Sequence, residues 1–111
     1  GVADHLASLG RQLDSLITEI AGAEITAVNA REDATLANAK AFLSAEGAMD
    51  VRKYVAIEAT HTERIAAELA EAEVRGLRRQ IDSIRIRIDI GRSLGAAIRA
   101  ETSLAGSGHT T

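Results

Sequence analysis

From Leu6 onward the apolar residues recur on a heptad: Leu6, Leu13, Ile20, Ala27, Ala34 and Ala41 at one seam position, Leu9, Leu16, Ala23, Ala30, Ala37 and Ser44 at the other. Eleven of these twelve positions are apolar, and a 3.5-residue period held over six heptads predicts a helix that buries one narrow stripe against a partner. Gly10 and Gly22 each cost about 1 kcal/mol relative to Ala inside a helix, which loosens the pattern without ending it. Asp4 suits the N-cap and Gly47 the left-handed position after a helix end. The first predicted element is a helix over 4–46, followed by a turn at 46–50.

Asp50 can cap a second helix, predicted over 50–103 because no proline interrupts it. Residues 104–111 read as a disordered tail. Within the second helix the segment Arg75–Ala100 carries apolar residues on two sides. Leu77, Ile81, Ile84, Ile88 and Ile98 fall along one face, and Ile86, Ile90, Leu94 and Ala97 along the opposite one. Between them runs a polar strip of Arg78, Asp82, Arg85, Asp89 and Arg92. Two apolar faces require two partners. The alternation of Ile84, Ile86, Ile88 and Ile90 with charged residues also fits a half-buried strand, but there is no second strand-like run to pair with it, so the helix is the expected state.

Folding the two helices back about Gly47 pairs residues whose numbers sum to about 96. Phe42 then meets Tyr54, the alanine-rich middle faces Ile65 and Leu69, and Leu13 and Leu16 meet Ile81 and Ile84. Beyond about Ile90 the second helix outruns the first. The predicted fold is all-α: a long antiparallel, coiled-coil-like helical hairpin that self-associates into a helical-bundle oligomer. The expected oligomer interface is Ile86, Ile90, Gly91, Leu94, Gly95 and Ile98, with Gly91 and Gly95 as a small-residue pair that permits close backbone approach.

Composition agrees with a thin, extended core. Of 111 residues 46% are hydrophobic, yet the aromatics are only Phe42 and Tyr54, and alanine buries little area per residue. With no cysteine, disulfides and thiolate metal sites are excluded. The opening GVADHLASLG lacks a basic region followed by an unbroken apolar run, so no secretory signal is expected. No apolar stretch is long enough to span a bilayer, and a cytoplasmic location is the expectation. The net charge of −3 is unevenly spread: Arg75–Arg99 holds seven Arg against Asp82 and Asp89, whereas Asp4–Asp50 holds eight acids against Arg11, Arg31 and Lys40. Opposite charge on two arms can be simple mutual attraction. It can also provide a basic ridge in which Arg78, Arg85 and Arg92, seven residues apart, contact phosphates without reading bases.

Chemistry-bearing residues are few. Glu58 and His61 form an ExxH spacing that, on one helix, places both on one side; with Glu32 or Glu24 added across a dimer this resembles the ligand set of ferritin-like bundles. The plain alternative is two solvated helix residues, since so short a pattern arises by chance. Ser93, Ser103 and Ser107 have no histidine and carboxylate set to activate them, and no glycine-rich phosphate loop precedes a helix. No catalytic residues and no cofactor are expected.

The run from Ala39 to Glu101 resembles small helical proteins encoded by actinobacterial siphophages and prophages. The resemblance lies in the acidic first arm, the turn from Ser44 to Lys53 (SAEGAMDVRK) and the DIGRS element from Asp89 to Ser93. It implies a phage-encoded accessory protein in the host bacterial cytoplasm, and it carries over no catalytic residue. The expected function is a non-enzymatic oligomeric scaffold or adaptor for a protein or nucleoprotein partner, with an accessory DNA-binding protein of a recombination or replication module, or a ferritin-like metal-binding protein, as alternatives.

Overall fold

The computed structural model describes residues 1–109. They form three helices, α1 Val2–Ser44, α2 Met49–Ala59 and α3 His61–His109, and among the described residues there is no strand. The alternating isoleucines from Ile84 to Ile90 are therefore helical. The chain divides into two compact units: residues 1–18 with the segment from Arg78 onward, and Glu19–Leu77.

In the first unit Leu9, Ile81 and Ile84 are buried, and Leu6, Leu13, Leu16 and Ile88 are half-buried. α1 and α3 run in opposite directions here, because Leu6 lies against Gly91 and Val2 against Gly95. Both pairs sum to 97, beside the expected 96. The overhang begins later than Gly91, because α1 still covers Gly91 and Gly95 before α3 continues past them to His109. Gly91 is buried and Gly95 half-buried against the first turns of α1; the missing Cβ of Gly91 leaves the room that Leu6 occupies, and Val2 lies against Gly95.

In the second unit the buried apolar residues are Ala27, Ala56, Ala67, Val74 and Leu77, while Ile20, Ala23, Ala30, Ala34, Ala37 and Ala41 are half-buried. The seam of α1 thus faces inward as its heptad requires, and Ser44, its polar member, is exposed. The frame of the second arm differs from expectation. Ile65 is 39% and Leu69 66% exposed, and the small residues Ala67 and Ala70 take the inward positions instead. Small side chains let helix backbones approach, whereas isoleucine and leucine against alanine would hold them apart.

The second arm is not one helix. Thr60 interrupts it with φ −109° and ψ 17°, although it is 98% buried, with 2% of its surface exposed. Its Oγ1 donates to the Ala56 carbonyl at 2.7 Å, and Arg64 Nη2 donates to the Ile57 carbonyl at 2.7 Å. Arg64 thus satisfies a carbonyl at the distorted turn, and the Thr60 hydroxyl adds a second donor to the Ala56 carbonyl, which the Thr60 amide also reaches at 3.1 Å.

The turn between the arms is built on Gly47, whose φ of +105° an L side chain rarely adopts. Ala48, extended at φ −64° and ψ 155°, occupies the N-cap of α2 without a side-chain hydrogen bond. Asp50 is therefore not the cap; it lies in the first turn, where its charge favours the helix dipole. Tyr54, the expected partner of Phe42, is 74% exposed. Arg52 takes that place: its guanidinium carbon lies 4.5 Å from the Phe42 ring centroid, and its Nη2 and Nε donate to the Phe42 carbonyl at 3.1 and 3.3 Å. One cation thus covers a ring and caps the end of α1. At the other end α3 runs past residue 103 to His109, where composition argued for a disordered tail from residue 104. Among the described residues neither proline nor a positive-φ glycine interrupts it there. Residues 110–111 of the expected tail lie outside the described residues.

Candidate interaction surface

Among the described residues the large apolar side chains lie mostly outside. Eight hydrophobic residues are buried, three of them alanines, while seventeen large hydrophobics are exposed. The cause is the heptad: a stripe two residues wide per seven covers the seam, and every isoleucine or leucine off that stripe faces outward.

On α3 the inward residues Ile81, Ile84, Ile88, Gly91 and Gly95 follow the heptad. Opposite them Ile86, Ile90 and Leu94 are 59%, 62% and 53% exposed. These three are the members of the expected oligomer interface that share the outer face. Ile98, 45% exposed, lies at the edge towards α1. Gly91 and Gly95 do not belong to an outward interface, because they lie against Leu6 and Val2 within the first unit.

A second exposed apolar group escaped the sequence reading. α2 buries only Ala56, and Met49, Val51, Tyr54, Val55 and Ile57 are all exposed. The signal was present in MDVRKYVAIEA, whose apolar residues are not confined to one helical face. Thr60 and its neighbours were also missed. Glu63 Oε2 and Arg64 Nε are shielded from solvent without a hydrogen-bond partner among the described residues, so the seam carries a polar layer at Thr60 and Glu63. A polar seam residue is compatible with the heptad but invisible to an apolar pattern.

Arg78, Arg85 and Arg92 are exposed, as are Asp82 and Asp89 between them. The strip is thus a mixed-charge edge. In the second unit Arg31 Nε donates to Glu71 Oε1 at 2.7 Å, and Arg31 Nη2 pairs with the same oxygen. This is attraction between the acidic and basic arms acting with the signs reversed, an arginine on α1 and a glutamate on α3.

Glu58, His61 and Glu32 are each exposed. The Thr60 interruption falls between Glu58 at the end of α2 and His61 at the start of α3, so the ExxH spacing does not lie on a continuous helix. Among the described residues no three histidine, aspartate or glutamate side chains come together as a metal site. None of the described helices is long and apolar enough to cross a membrane. No protein-family model, no curated protein and no solved structure matches the chain.

Proposed function

We propose that the chain is a non-enzymatic helical scaffold or adaptor: an antiparallel, coiled-coil-like hairpin that self-associates through the outer face of α3 and presents its remaining apolar surface to a protein or nucleoprotein partner. The observation that carries this reading is the exposure of Ile86, Ile90 and Leu94 on one face while Ile81 and Ile84 are buried on the other. Area supports it. The chain exposes 8019 Å², roughly 2,000 Å² more than a folded monomer of 11.7 kDa usually does, and a stable interface buries about 1,200–2,000 Å² in total. The resemblance to siphophage and prophage proteins supports an accessory role of this kind.

The test is replacement of Ile86, Ile90 and Leu94 together by serine. The expected result is a fall in light-scattering mass to that of a single chain with a helical circular dichroism spectrum retained, because the inward face of α3 is untouched. An unchanged mass removes the self-association reading.

A second reading, weak binding of nucleic acid, draws on the exposure of Arg78, Arg85 and Arg92 along one edge. One heptad rises about 10 Å, so several phosphates of a duplex lie within reach. Asp82 and Asp89 on the same edge oppose it.

A further inference from the structure

We propose that the occupant of the outer face of α3 is a second copy of the chain, lying parallel to the first along residues 83–97, with Ile86 of each copy against Ile90 of the other and Arg87 of each paired with Asp89 of the other. The proposal rests on the self-association put forward above and adds its geometry.

The argument starts from Ile88, which is half-buried and points towards α1. At 100° per residue the direction opposite Ile88 is the midline of the outer face. Residues equally far from Ile88 in sequence fall at equal angles on either side of that midline. Ile86 and Ile90 straddle it closely, Ser83 and Ser93 lie next, Leu94 and Asp82 follow as an unlike pair, and Arg87 and Asp89 form the two flanks. All eight are exposed. Ala97 lies on the midline, where a small side chain allows two helices to approach. A patch whose two innermost pairs match and whose flanks carry opposite charge suits a two-fold interface, in which one surface must be its own complement.

The flanks choose the direction. In a parallel pair the two-fold axis runs along the helices, so one flank of each copy meets the opposite flank of the other at the same height. Arg87 then faces Asp89 of the second copy on both sides, and Ile90 faces Ile86. In an antiparallel pair the axis crosses the helices and like flanks meet, placing Arg87 beside Arg87 and Asp89 beside Asp89. The offset in height is about 3 Å in either case, so the sign of the charge decides. Among the described residues neither Arg87 nor Asp89 is engaged in an ion pair within the chain, which leaves both available. Arg79, the midline residue before Ser83, would face its own copy in the parallel arrangement and marks where the contact ends.

The chain contains no cysteine, so Ala97→Cys introduces a single thiol. In the parallel pair the two thiols face each other across the midline, within reach of a disulfide; in the antiparallel pair they stand about 27 Å apart along the axis. The expected result is a disulfide-linked dimer of Ala97→Cys under mild oxidation, at concentrations where light scattering shows the wild-type chain to be associated. Mixed disulfides between Arg79→Cys and Ala97→Cys chains, with no Ala97→Cys dimer, overturn the proposal in favour of the antiparallel pair. Charge reversal supplies an independent readout. Arg87→Asp and Asp89→Arg are each expected to weaken association several-fold to about ten-fold, and the double variant to restore it. In an antiparallel pair the reversals replace one like-charge contact by another, so an unchanged association constant in both single variants counts against the arrangement. A wild-type chain that stays monomeric at every concentration removes the self-association reading itself, an outcome distinct from the other two.

Discussion

Leu6 occupies the space that a side chain on Gly91 would need. A Cβ placed on Gly91 would come within 2.7 Å of Leu6 Cδ2 and 3.4 Å of its Cγ, so the first turns of α1 and the last third of α3 approach as closely as they do because residue 91 is glycine. Gly91→Val is expected to cost about 1–3 kcal/mol through overpacking. In a Leu6→Ala background the same substitution is expected to cost much less, because the obstructing methyl is gone. Urea unfolding of the four chains of that cycle measures the coupling; additive effects would place Leu6 elsewhere.

Gly10 and Gly22 have the opposite character. Both are helical, and a Cβ on either meets nothing within 4 Å. Alanine at each site removes the backbone entropy penalty without a clash, and each substitution is expected to stabilise the chain by up to about 1 kcal/mol. A rise in the thermal midpoint for both is the check.

Thr60→Val retains the branched shape of a buried side chain and removes its hydroxyl. The bond from Oγ1 to the Ala56 carbonyl is lost while the Thr60 amide still donates there at 3.1 Å, so the expected cost is about 0.5–1.5 kcal/mol. Faster amide hydrogen exchange at the junction of α2 and α3, with little change in α1 away from it, would show that the loss is local.

If association stabilises the fold, the melting temperature rises with protein concentration. Circular dichroism melts over a hundred-fold range are expected to show that shift in the wild-type chain and to lose it in the Ile86, Ile90 and Leu94 serine variant. A wild-type midpoint independent of concentration would leave the outer face of α3 without a role in stability.

Any contact of Arg78, Arg85 and Arg92 with nucleic acid is expected to be micromolar or weaker at physiological salt and indifferent to sequence. A mobility-shift series on duplex DNA across salt concentrations measures it. Changing the three arginines to glutamine is expected to flatten the salt dependence, and no shift even at low salt would dismiss the nucleic-acid reading.

The chain by itself determined the helical class and the inward stripe of α1. That stripe repeats with one period and one apolar face from Leu6 to Ala41, so only one side of the helix can be covered, and all eleven apolar seam residues are buried or half-buried. The turn was legible too, because Gly47 is placed where a positive φ reverses the chain. In the second arm the two apolar faces of Arg75–Ala100 were legible, with Ile81 and Ile84 expected inward and Ile86, Ile90 and Leu94 outward, but the frame opposite the alanines of α1 was not decided at this level. Close approach favoured Ala67 and Ala70 over Ile65 and Leu69 and set Gly91 and Gly95 against Leu6 and Val2, where an overhang was expected. Thr60 and Arg52 belong to the same class of decision: each satisfies backbone carbonyls at a helix end or a distorted turn, and a polar side chain reveals that role only once the tertiary fold has put a carbonyl within its reach.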